Sequence, residues 1–237
     1  MARVADLVEF PRRAATATGN AALAPLRPFV PANAVDDWGR DHHLLRSLAP
    51  WLRLRWDVSV GGDQHLPSRV GALLVTNDRR LSFSPLYVSW ALSEATGRPV
   101  RFVGRPDVAP VGPALRRMGA ILDDPREVLT ALRAGDLVLA GASPTAQARH
   151  AGSVDVDLVG AAIAAGIGVH PVASMSTPFG RGARVEVGPV VRMRRKRRGP
   201  LAEVELAEAV QGHLQKMLDT LGGVRTGVGP LDWWGEG

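Results

Sequence analysis

From residue 56 onward, short continuous apolar runs alternate with stretches whose apolar residues recur every three or four positions. The runs at 56–60, 72–76, 100–104, 137–140, 169–173 and 184–187 predict strands, with a shorter one at 120–122. The stretches between them, at 85–96, 110–118, 125–134 and 154–165, predict helices. Pro85, Pro110 and Pro125 stand at helix starts, where the missing N–H costs nothing. Strands that are apolar without alternation suit a sheet covered on both faces. The order predicts an α/β fold: a mixed, mostly parallel sheet flanked by helices.

The flanks read differently. Residues 1–35 carry Pro11, Pro25, Pro28 and Pro31 around an Ala/Thr-rich segment and read as an N-terminal helical extension. Asp36-Asp37-Trp38 predicts a helix start, with acids at its positive end. Trp38, Leu44, Leu45, Leu48, Trp51, Leu52 and Leu54 follow at helical spacing, which predicts a stripe packed on the core, kinked at Pro50. A last amphipathic helix runs from Pro200 to Leu221 and stops at Gly222-Gly223. The main domain is therefore expected at 36–223. A tail at 224–237 contains Trp233-Trp234, a pair expected to be packed against something.

Charge narrows the picture. The chain has 237 residues, 46% hydrophobic and 22% charged, and a formal charge of +6. Lys196 and Lys216 are its only lysines, so arginine supplies nearly all the positive charge. The basic run Arg192, Arg194, Arg195, Lys196, Arg197 and Arg198 reads as a solvated turn or as a contact for an acyl lipid or anionic phospholipid surface. Nucleic acid is not expected, because no aromatics are interleaved for stacking. A protein partner stays open.

The N-terminus is broken by Arg3, Asp6, Glu9 and Pro11, unlike a secretory signal. The weakly polar stretch 158–175 contains His170 and Pro171 and makes a poor membrane span. A cytoplasmic protein is expected, peripheral on the inner membrane if it meets lipid. The absence of cysteine removes disulfides and thiolate metal sites.

Candidate chemistry gathers at residues 73–85, where an apolar strand runs into a polar turn and then a helix. The six histidines show no spacing of a zinc site or catalytic triad, so no metal is expected. No dinucleotide fingerprint, phosphate loop or nucleophile elbow is present, and no cofactor is expected.

The order of several short segments carries a resemblance. They are Trp38-Gly39-Arg40-Asp41, Leu74-Val75-Thr76-Asn77, Gly97 to Arg105, Pro110 to Gly119, Leu132 to Val138 and His170-Pro171-Val172-Ala173. Together they resemble the glycerolipid (lysophospholipid) acyltransferase family, 1-acylglycerol-3-phosphate acyltransferase-like, of an actinobacterial type. The resemblance implies a histidine general base just after Asn77 and an orienting aspartate about five residues on. Here Asp78 stands in the histidine position, and the aspartate position falls near Phe83. The family's phosphate-binding motif falls on residues 141–146, where only Thr145 matches. The resemblance places Asn77, Arg101, Arg105, Gly119, Ser143 and Thr145 on the substrate side, and Asp78 at a degenerate catalytic position.

Two functions follow. One is a catalytically silent relative that binds lipid or protein at a membrane surface. The other is an active enzyme moving an acyl group from acyl-CoA or acyl carrier protein to a lysophospholipid or glycerol phosphate. An unperturbed aspartate titrates near ~3.9, far below a useful base at neutral pH. The adjacent Arg79 and Arg80 would lower it further.

Overall fold

The computed structural model describes residues 35–78, 84–104, 106, 108–147, 149–176, 181–192 and 199–221. The predicted N-terminal extension, the tail with Trp233-Trp234, Arg105 and Arg194 to Arg198 lie outside the described residues.

Among the described residues, seven strands form one sheet: β1 (Asp57–Gly61), β2 (Ala72–Thr76), β3 (Val100–Val103), β4 (Ala120–Ile121), β5 (Leu137–Gly141), β6 (Val169–Ser176) and β7 (Gly182–Val187). Their spatial order is β1-β7-β6-β2-β5-β3-β4. Every neighbouring pair is parallel except β6 and β7, which run antiparallel. The helices are α1 (His42–Arg55), α2 (Ser84–Thr96), α3 (Val111–Arg117), α4 (Pro125–Arg133), α5 (Val156–Ala165) and α6 (Pro200–Leu221). The expected mixed, mostly parallel α/β sheet is what forms.

Two of the three buried apolar clusters among the described residues explain the central runs. Leu73, Val75, Val138 and Ala140 face α4, α5 and α6 through Val128, Leu132, Val159 and Val210. Ala72, Leu74, Leu137 and Leu139 face the other way, against Tyr87, Val88 and Leu92 of α2. Adjacent residues of one strand point to opposite faces, so a strand buried on both must be apolar throughout. β7 instead alternates, because one of its faces is partly open.

Two expectations fail. The first helix does not open at Asp36. Asp36 closes a turn instead, its Oδ1 accepting the N–H groups of Trp38 (3.0 Å) and Arg40 (2.9 Å). Asp41 is the cap, accepting from His43 and Leu44 at 3.0 and 2.9 Å. Nor does the α1 stripe pack as a whole. Only Leu52 of that helix is buried, while Trp51 is 69% and Leu54 59% exposed. Trp51 and Leu54 lie away from the direction that Leu52 takes into the fold.

Candidate functional site

Strands β2, β3, β5 and β6 run parallel, so their C-terminal ends share one edge of the sheet. In such sheets ligands bind outside that edge, where loops leave the strands. The edge carries Asn77 and Asp78 after β2, Ser143 and Thr145 after β5, and Ser174 and Ser176 at the end of β6. The first turn of α2 adds Ser84 and Tyr87.

Asn77 is 2% exposed and acts as a brace. Its Oδ1 accepts the Ser174 N–H at 2.8 Å and the Ser174 hydroxyl at 3.2 Å. Its Nδ2 donates to the Ser174 carbonyl at 2.9 Å. β2 stops pairing with β6 at Thr76 and Val172. The side-chain amide therefore continues the ladder one step past the last main-chain pair. Thr76 Oγ1 adds a 3.3 Å bond to Ser174 Oγ.

Tyr87 is 1% exposed and is the only tyrosine in the chain. Burial raises its pKa; hydrogen bonds with Ser174, Ser176 and Ser84 oppose the rise, and the negative charge of Asp78 adds to it. The phenol therefore stays neutral at physiological pH and serves as a hydrogen-bonding group. Its ring tilts against Trp56, with centroids 5.6 Å apart.

Asp78 is half-buried, and its carbonyl accepts the Thr145 N–H at 3.1 Å. The 141–155 loop is held by its own bonds: Ser153 Oγ donates to Ser143 Oγ at 2.7 Å, and Thr145 Oγ1 to the Gln147 carbonyl at 2.8 Å. Gly152 sits at φ +73° with its absent Cβ only 2.3 Å from the Ser143 carbonyl, so no other residue fits there. Arg149, in the same loop, has a buried Nε without an acceptor among the described residues.

The fold thus unites four of the expected site residues: Asn77, Asp78, Ser143 and Thr145. Arg101 and Gly119 lie elsewhere. Arg101 pairs with Val138, three strand positions before Gly141, or about 10 Å at the usual strand rise. Its side chain is 4% exposed and bonds Asp136 through Nε (2.7 Å) and Asp36 through Nη2 (2.8 Å). It also lies over the Trp38 ring, 5.3 Å from the centroid. Gly119 precedes β4 at that opposite edge, beside Arg40.

Tyr87, Ser84, Ser174 and Ser176 were not anticipated. The lone tyrosine one turn into the helix after Asp78 was the available signal; Ser174 and Ser176 gave none inside an apolar strand, nor did Ser84 at a helix start. Among the described residues, no histidine forms a salt bridge with a carboxylate. His65 and His170 instead meet the carbonyls of Val187 (2.9 Å) and Gly188 (3.1 Å).

The fold has a solved counterpart. The 1-acyl-sn-glycerophosphate (LPA) acyltransferase PlsC from Thermotoga maritima superposes with a TM-score of 0.56 at 17% identity, covering 76% of this chain and 80% of that one. The chain therefore has an acyltransferase-type fold. No family model matches it, and no curated protein matches it.

Proposed function

We propose that this chain is a catalytically silent protein of acyltransferase fold that binds lipid at a membrane surface. One observation carries the silence: the described strand-end edge presents a serine, tyrosine and asparagine network beside Asp78, with no histidine–acid pair. General-base attack by a hydroxyl needs a group with a pKa near the working pH. An aspartate lies too low and a buried neutral phenol too high. The histidine and aspartate of the resembled motif are replaced by Asp78 and a residue near Phe83, and the phosphate loop keeps only Thr145.

The membrane part rests on charge and exposure. Trp51 and Leu54 are exposed on a helix that also carries exposed Arg46, Arg53 and Arg55 and no acid. Arg192 is exposed and opens the basic run that continues through Arg194, Arg195, Lys196, Arg197 and Arg198. Such clusters gain about 1 kcal/mol per basic residue near an anionic surface, and tryptophan suits the interface. Co-sedimentation with phosphatidylglycerol-containing vesicles tests this. Binding that falls with salt and with Trp51→Ser is expected; equal recovery with neutral vesicles would contradict it.

A second reading, an active acyltransferase using acyl-CoA or acyl carrier protein, has one observation behind it. His150 belongs to the loop that Thr145 pins to Asp78, and its carbonyl accepts from Thr145 Oγ1 at 3.4 Å. Loss of acyl transfer in a His150→Ala variant would favour that reading.

A further inference from the structure

A cavity of about 440 Å³ opens between α1 and α2. Its polar lining is Arg40, His42, Arg46 and Arg98 with the hydroxyls of Ser89 and Ser93, and Glu94 is the only acid among these lining residues. Glu94 is already paired with Arg53 at 2.6 Å. Arg98 spends its donors on the carbonyls of Pro67, Val70 and Gly135, and among the described residues no carboxylate pairs with it.

Arg40 is the unusual member. It is 8% exposed, yet its side chain makes one bond, 3.3 Å from Nη2 to Ser93 Oγ, among the described residues. The nearby carboxylates of Asp36 and Asp136 are bound to Arg101 instead. Burial lowers the Arg40 pKa, the charge of Arg101 lowers it further, and the two aspartates counter both. Arg40 Nε and Trp90 Nε1 are buried beneath the cavity wall without an acceptor among the described residues, so the outer guanidinium nitrogens of Arg40 are what an occupant can meet. Buried donors are almost always paired, and an unpaired one costs about 1–3 kcal/mol. The other walls, Leu45, Leu52, Leu86, Trp90 and Met118, are apolar.

We propose that this cavity binds a small organic anion, an oxyanion head carried on an apolar body. The weak Ser93 bond is readily traded for a charge-assisted one, since guanidinium–oxyanion bonds are about twice as strong as neutral ones. Arg46 at the exposed rim draws the anion in, and the apolar walls take its body. The volume falls in the range of small-molecule pockets. The Arg40 end of the cavity is set apart from the strand-end edge: Ser93 lies nine residues along α2 from Ser84, or about 14 Å at the helical rise. It stands whether or not the chain transfers acyl groups.

The test uses benzoate, phenyl phosphate and neutral benzamide as probes, by calorimetry and thermal melting. At least one anion is expected to bind saturably and raise the melting temperature, with benzamide about tenfold weaker or more. Preference between the two anions tells a carboxylate head from a phosphate head. Arg46→Ala, at an exposed position, should weaken the anion several-fold. Arg40→Met should abolish binding. Should Arg40→Met fail to fold, Arg46→Ala and the neutral probe still decide. No binding of either anion, benzamide equal to the anions, or affinity unchanged in Arg46→Ala would overturn the proposal.

Discussion

Replacing Asn77 by alanine should cost the fold more than any ligand-binding role would suggest. The amide satisfies both main-chain groups of Ser174, at 2.8 and 2.9 Å, inside a site where Asn77 and Ser174 are each 2% exposed. Alanine leaves the Ser174 N–H and C=O without that partner. Each buried group left unpaired costs about 1–3 kcal/mol, and partial relaxation puts the pair near 3 kcal/mol in total. At roughly 2–4 °C per kcal/mol for a domain of this size, the melting temperature should fall by about 6–12 °C. Asn77→Asp should also melt early, because it sets an oxygen against the Ser174 carbonyl where a donor stood. Urea and thermal unfolding measure both. Losses below about 1 kcal/mol in both variants would refute the brace, since relaxation would then have to satisfy two buried groups unaided.

Other expectations follow from the same geometry. Arg101→Met should destabilise by about 3–5 kcal/mol, because it strands Asp36 and Asp136 without their shared cation; denaturant titration reads the loss. For Asp41, burial raises the pKa, but the bonds from Arg117, Leu44 and His43 outweigh it, and the net shift is downward. Its contribution is complete above the ordinary value of 3.8 and is lost as pH falls through the depressed one. Asp41→Asn should therefore flatten the stability profile below that pH, as chemical denaturation across acid pH would show. His170 is lowered by burial, with the Gly188 carbonyl opposing and His65 adding. Stability should accordingly fall as pH drops from 6.5 toward its depressed value, a slope that His170→Gln should reduce. Gly152→Ala should destabilise the 141–155 loop by more than about 1 kcal/mol, detectable as faster local hydrogen exchange.

The strands were readable because burial on both faces leaves only apolar residues. Ala72 to Thr76 is buried at every position, and its bounds are those expected. Some boundaries moved where a turn rather than a run sets them, as at Val156, which starts two residues past the expected helix start because Asp155 is the cap, and β6 runs on to Ser176, three residues past its expected end. The α1 stripe misled because periodicity reports that a helix has an apolar face without saying what covers it; Trp51 and Leu54 stay open. Arg101 misled for a different reason. Its partners stand 65 and 35 residues away in sequence, so its ion pairs cannot be seen from local pattern. The Tyr87 and Ser174 network was hidden likewise, since hydroxyls inside apolar segments announce nothing until the β2–β6 pairing brings them together.

The most direct test of the central claim is an acyl-transfer assay. It would use purified protein, long-chain acyl-CoA or acyl carrier protein, and a panel of lysophospholipids with glycerol phosphate, run beside Asp78→Ala. Turnover at background in both proteins is predicted, because the described edge at Asp78 holds no histidine–acid pair to act as general base. Turnover above background that Asp78→Ala abolishes would contradict the account and make that carboxylate the base.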